Sequence, residues 1–161
     1  MTDRILRAKE LLKAVRHAAM ATVNEDGSPH NTPYFFMYDD SLMHLYWGSH
    51  PSSQHSRNIE RTGQIFVALY DGNVKGGLYF EADNAHAAEG EELDVAVAAH
   101  NAARARFGKT PPVKRGYYEQ GQQKMYVADI QKMWVNLVER DANGEHLRDY
   151  REPVTAEDLL R

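Results

Sequence analysis

Trp47-Gly48-Ser49-His50-Pro51-Ser52-Ser53-Gln54-His55-Ser56-Arg57-Asn58-Ile59 takes an aromatic, strand-like run into small hydroxyl residues and then into a polar segment with helical character. A strand that hands over to a helix through serines makes a place for an anion. Ser49, Ser52 and Ser53 offer hydroxyl donors, and a helix beginning near Ser52 aims unpaired backbone N–H groups at the same point. Gln54, His55, Arg57 and Asn58 add further donors. Serine after proline is also an ordinary helix N-cap, so a capped surface helix is the competing reading. The flanking sequence has to decide.

Upstream, Ile5, Leu6, Leu11, Leu12 and Val15 recur at helical spacing after Thr2, which predicts an amphipathic helix from Asp3 to His17. Ala19 to Val23 is small or β-branched, Glu25-Asp26-Gly27-Ser28 has turn chemistry, and His30 to Tyr38 is rich in aromatics: strand, hairpin, strand. After a turn at Asp39-Asp40-Ser41, the run Leu42 to Trp47 has no wet face and reads as a strand buried on both sides or lying at a subunit contact. Downstream, Ser52 to Thr62 reads as a short helix ending before Gly63, and Gln64 to Tyr70 and Leu78 to Ala82 as strands. Ala-rich Glu89 to Phe107 predicts a helix, Gly108 to Gln123 a proline-containing loop, and Lys124 to Arg140 a long strand followed by a turn at 141–144 and a short final strand.

A chain of 161 residues with 42% hydrophobic content suits one domain with a sizeable core. No apolar run is long enough to cross a bilayer and the N-terminal segment lacks signal-peptide character, so a soluble, cytoplasmic protein without a membrane partner is expected. The absence of cysteine removes thiolate nucleophiles, zinc ribbons and iron–sulfur ligation. A net charge of -4, a pI near 6.0 and no basic block argue against a nucleic-acid partner and for a small molecule. His50 and His55 lack a third ligand at suitable spacing, so no metal site is expected. No GxSxG elbow supports hydrolysis and no GxGxxG supports a Rossmann site.

Five or six strands in local hairpins, interrupted by helices, predict a mainly β, α+β architecture: an antiparallel barrel with peripheral helices. Ala21-Thr22-Val23-Asn24-Glu25-Asp26-Gly27-Ser28-Pro29-His30-Asn31-Thr32-Pro33-Tyr34-Phe35-Phe36, then Leu45-Tyr46-Trp47-Gly48-Ser49, then Ser53-Gln54-His55-Ser56-Arg57-Asn58-Ile59 resembles the pyridoxamine 5′-phosphate oxidase-like family of FMN-binding split barrels. The likeness runs from about His17 to Phe80 and resumes weakly over Tyr126 to Asn136.

That resemblance implies one split-barrel domain over 1–161, forming a homodimer with FMN in clefts at the subunit interface. By position it assigns Ser49, Ser53, Gln54 and His55 to the phosphate, the backbone of Thr32, Pro33 and Tyr34 to the isoalloxazine ring, and the end of the strand at Trp47 and Gly48 to the flavin. Trp134 belongs to the core or the dimer contact, or touches flavin from the second subunit. Gln54 and His55 stand where family members commonly carry Arg or Lys, which lowers the fixed positive charge of the loop. A bound phosphate would favour the charged form of His55, and Arg57 is a second candidate to make up the deficit. Segment 85–123 departs from a compact barrel, and reads either as a substrate lid carrying Lys114, Arg115, Tyr117 and Tyr118 or as a helix that packs on the barrel or extends the dimer contact. The function expected is a flavin-dependent oxidoreductase acting on a small molecule. A non-catalytic flavin sensor or carrier, a barrel binding deazaflavin or haem, and a structural dimer are the alternatives.

Overall fold

Burial alternates along His17–Val23 (β1), with Ala18, Met20 and Thr22 turned inward, and this period of two commits the segment to a sheet. The computed structural model describes residues 3–161. Asp3–Ala14 (α1) precedes β1 and buries Ile5, Ala8, Leu11 and Leu12 on β5, β6 and β7, defined below. The helix stops three residues short of its expected end because His17 is taken into the sheet opposite Phe35.

A tight turn leads from β1 into Pro29–Phe35 (β2), and Met37–Tyr38 (β3) and His44–Ser49 (β4) follow. Gln54–Thr62 (α2) is capped at its start by Ser53 and closed by Gly63, whose φ of 63° lets its N–H reach the Ile59 carbonyl at 2.7 Å. Ile65–Asp71 (β5), Val74–Ala87 (β6), Gly90–Arg106 (α3), Gly116–Gln120 (α4), Lys124–Arg140 (β7), His146–Val154 (β8) and Ala156–Leu160 (α5) complete the chain.

The eight strands form one antiparallel sheet in the order β2-β1-β5-β6-β7-β4-β3, with β8 on β7. Its inner face closes on Phe36, Trp47, Phe80, Met20, Val67 and Leu69, all fully buried. Phe36 meets Phe80 at 5.8 Å and Trp47 stacks on Tyr126 at 5.6 Å. Burial of each such side chain contributes about 1.5–3 kcal/mol. This is the expected mainly β split barrel with peripheral helices: α2 packs on β1, β2 and β6, and α3 on β3, β4 and β7.

The split lies between the two ends of the sheet. Among the described residues β2 pairs only with β1, and β3 covers β4 only at Leu45 and Tyr46, leaving Trp47 to Ser49 without a partner on that side. Tyr34 of β2 meets Trp47 of β4 across this gap, their ring centroids 6.3 Å apart, with no ladder between the strands. Pro29 and Pro33 are tolerated in β2 because it is an edge strand.

Other elements also differ from what the sequence predicts. Strand β6 runs on to Ala87, through register shifts at Glu81/Ala82 and Asp83/His86, so residues 85–87 belong to the sheet. Five residues of the expected 108–123 loop form α4. The Leu42 to Trp47 strand begins at His44, because Leu42 takes a φ of 53° in the turn that Asp39 closes. The final strand is nine residues long and is followed by α5, held by a capping box between Thr155 and Asp158.

Candidate functional site

The split ends at Ser49, the last residue of β4, and the chain turns there through His50 to Ser53 into α2. Ser53 has extended backbone, φ -66° and ψ 153°, and its hydroxyl accepts from the Ser56 N–H, so this serine is indeed an N-cap. It does more than cap. Ser49 Oγ lies 2.7 Å from His55 Nε2 and 3.0 Å from Ser53 Oγ, and Ser53 Oγ is 3.2 Å from the same imidazole nitrogen. Ser56 Oγ joins the cluster at 2.8 Å from Ser53 and 3.2 Å from Ser49.

Three hydroxyls and one ring nitrogen therefore converge at the N-terminus of a nine-residue helix, and none of their hydrogen bonds goes to a carboxylate. Ser49 and Ser56 are buried and His55 half-buried. Burial holds the His55 imidazole below its ordinary value, and the His30 ring stacked on it at 6.4 Å adds to the effect. The cradle is thus neutral but donor-rich, with the positive end of the helix dipole behind it, which is the electrostatic character an oxyanion needs. Fixed charge sits at the rim, where exposed Arg57 donates to the Ser52 carbonyl and, at 2.5 Å, to Gln54 Oε1.

Asn58 fixes this helix to the barrel. Its buried amide donates to Thr22 Oγ1 at 3.0 Å and Asn24 Oδ1 at 2.9 Å, and accepts from Gln54 Nε2 at 3.0 Å. Gln54 therefore serves the frame of the site and is not a member of the hydroxyl cluster. His50 also stands outside it, bonded at 2.8 Å to Ser52 Oγ on the exposed side of the loop.

Along the split, Thr32 is half-buried, Pro33 is exposed and Tyr34 is buried. The free edge of β2 offers backbone groups to a ligand, and two prolines make it poorer in N–H donors than in carbonyl acceptors. Tyr34 Oη and Trp47 Nε1 are buried without a hydrogen-bond partner among the described residues, and both residues border the gap. Trp47 itself is a core residue, 1% exposed. Gly48 faces the other side of β4, where a side chain would crowd the Tyr118 ring at 3.4 Å. Trp134 lies on the outer face of β7, stacked on Phe66 at 6.3 Å, with Tyr79 alongside and Arg151 3.9 Å above the Tyr79 ring. It is apart from the cradle within one chain. Beside this aromatic face runs a groove of about 390 Å³ lined by Ala21, Val23, Pro29, Phe66, Glu81 and Gln131.

Of the residues that the sequence suggests for the phosphate, the structure brings Ser49, Ser53 and His55 into contact. Ser56 is not among those suggested residues, although Ser53-x-x-Ser56 has the spacing by which a cap reaches the first turn. The His30 contact depends on α2 packing beside β2, which no local pattern reveals.

A family model described as pyridoxamine 5′-phosphate oxidase matches residues 7–139. No curated protein sequence matches the chain. Among solved structures, a haem-binding protein from Mycobacterium smegmatis superposes with a TM-score of 0.69 at 16% identity, covering 99% of this chain and 61% of that one. This chain thus spans less than two thirds of that protein's length. A protein described as an F420 reductase gives 0.56 at 17% identity, over 78% of this chain and 94% of its own. A Clostridium acetobutylicum protein related to general stress protein 26, of the pyridoxinephosphate oxidase family, gives 0.59 at 13% identity, over 93% and 94%. At these identities the likeness is one of fold.

Proposed function

The chain belongs to the pyridoxamine 5′-phosphate oxidase family, and we propose that it is an FMN-binding homodimer acting as a flavin-dependent oxidoreductase on a small molecule. The observation that carries this reading is the convergence of Ser49, Ser53, Ser56 and His55 at the start of α2, beside the open β2–β4 split. Those residues fit the phosphate of FMN. Each hydroxyl now bonds to another member of the cluster, and a phosphate would take over those donors without leaving any of them buried and unsatisfied.

The free edge of β2 through Pro33 fits the polar rim of a planar ring, since the backbone groups turned away from β1 have no ladder partner among the described residues. When bound, FMN supplies the hydride or electron transfer. The chain's own task is binding, orientation and exclusion of water. His55 holds a proton more readily once an anion sits against it, so this residue supplies charge on demand in place of the fixed Arg or Lys. Asn58 keeps the cradle in register with β1. The partly exposed Phe66, Tyr79 and Trp134 face suits a contact with the second subunit, and Trp134 is the residue this arrangement would bring toward the partner's cofactor.

The experiment is an absorption spectrum of the protein as purified, followed by FMN titration with flavin fluorescence and melting temperature as readouts. Saturable quenching and a raised melting temperature are expected, with Ser53→Ala and His55→Ala each weakening FMN about tenfold. Bleaching by a nicotinamide and recovery with an acceptor would distinguish an enzyme from a carrier. The names of two fold neighbours, a haem-binding protein and an F420 reductase, support a second reading in which haem or a deazaflavin takes the same cleft. A protein indifferent to FMN that gives a Soret band with haem, or binds a deazaflavin, would replace the first reading with the second.

A further inference from the structure

On the opposite face of β4 from the hydroxyl cradle, a cavity of about 220 Å³ is lined by His17, Phe35, His100, Arg104, Lys109 and Tyr118, among others, and no carboxylate lines it. Arg104 and Lys109 form no ion pair among the described residues. Arg104 spends one N–H on the Pro111 carbonyl at 3.0 Å, and its Nε is buried with no partner. Lys109 Nζ stands 5.1 Å over the Phe35 ring. His17, His100 and Phe107 surround that ring edge-on at 5.8, 5.8 and 6.3 Å.

Two cations thus line one concavity without a counter-ion among the described residues, and the neighbouring imidazole is half-buried beside them. Burial, with Arg104 and Lys109 adding to it, drives His100 down to about 4. Its Nδ1 is 2.8 Å from Tyr118 Oη, a phenol itself pushed up to about 12 by burial. At neutral pH the His100–Tyr118 pair is therefore an uncharged hydrogen-bonding unit on the cavity wall.

We propose that this cavity binds a small organic anion, a carboxylate on a flat apolar body, with Arg104 and Lys109 pairing the charge, Phe35 carrying the body and His100–Tyr118 completing the polar contacts. Of the residues that sequence suggested for such a ligand, only Tyr118 lines the cavity. Arg115 is committed to Asp94 and Glu119 at 2.6 and 2.7 Å, and Lys114 and Tyr117 are exposed. The site shares no side chain with the hydroxyl cradle, and its reading does not rest on a flavin. Its walls nevertheless include Phe35 of β2 and Gly48 of β4, the strands that border the split.

The test is a benzoate titration of the full chain, with and without FMN, followed by NMR of the histidine imidazoles. Saturable shifts at His100 are expected, with its titration moved upward in the complex. Lys109→Gln should weaken benzoate about tenfold, the loss of one charge-assisted contact, while Ser53→Ala leaves benzoate binding unchanged. Benzamide, close to benzoate in shape but neutral, should not saturate over the same range. Lys109 lies in a loop, so the variant should fold, and a thermal melt checks it. Absence of a saturable His100 response, or benzoate affinity unaffected by Lys109→Gln, would overturn the proposal. FMN affinity read on the same variants keeps failure here separate from failure of the flavin reading.

Discussion

Replacing Asn58 with alanine tests whether one buried amide holds the start of α2 on the barrel. Asn58 is 2% exposed and Thr22 4% exposed. The substitution removes bonds of 3.0 Å to Thr22 and 2.9 Å to Asn24, and a third from Gln54, which is half-buried and recovers water. Two lost bonds at about 1 kcal/mol each, plus up to about 1 kcal/mol for stranding the Thr22 hydroxyl, give about 2–3 kcal/mol. For a chain of this size that is about 4–12 °C in melting temperature. The assay is urea unfolding followed by tryptophan fluorescence, because Trp47 is 1% exposed and stacked on Tyr126 in the core. Thr22→Val alone should cost about 1 kcal/mol, and the double variant should cost less than the sum by a similar amount, since both changes break the same bond. If Asn58→Ala falls within about 0.5 kcal/mol of the parent, or the two changes simply add, the amide is not the anchor.

Two further outcomes follow from the same region and its neighbours. Gly63→Ala puts a side chain at a φ of 63° and should cost about 1 kcal/mol, read as a lower urea midpoint with an unchanged slope. His55 and His100 are both held below their ordinary value of 6.5, so across the interval beneath that value the unfolded chain binds more protons than the folded one. Stability is then complete above about pH 6.5 and falls as the pH drops toward 4. Urea midpoints should decline between about pH 7.5 and 5, and a variant carrying both His55→Gln and His100→Gln should decline less. A midpoint that rises on acidification would contradict the assignment.

What the sequence made legible was whatever a local period or a cap could encode. Ile5, Leu11 and Leu12 mark α1, the small and β-branched residues from Ala19 to Val23 mark β1, and Ser53 and Gly63 bracket α2 within a residue or two. Strand β8 was less visible because His146–Val154 is exposed or half-exposed at nearly every position, so it has no apolar face to announce it. Strand β6 lost its period at two register shifts and at Asn84, which takes a φ of 49°. Helix α4 is a single short turn of structure that buries only Tyr118. At the site, the cluster of Ser49, Ser53 and His55 is local in sequence, whereas the partners of Asn58 and His55 come from distant strands. Asn58 was a candidate donor to a ligand, and only the fold reveals that Thr22 and Asn24 already occupy it. Arg104 near the end of a helix with little amphipathy and Lys109 in the proline-containing stretch after it belong to a segment whose path the sequence leaves open.

The two prolines of β2 have a meaning beyond ligand access. A barrel that closes completely has no strand ends to guard, whereas one that stays open displays a row of unpaired amides able to template strands from other molecules. Pro29 and Pro33 interrupt that row in a strand of seven residues. A foreign strand could not build a continuous ladder there, because two of the donors it would need are missing, while a small molecule that asks for one or two hydrogen bonds loses nothing. The opening thereby discriminates by the length of its visitor, and resistance to fibrous self-association is written into the same edge that admits a ligand.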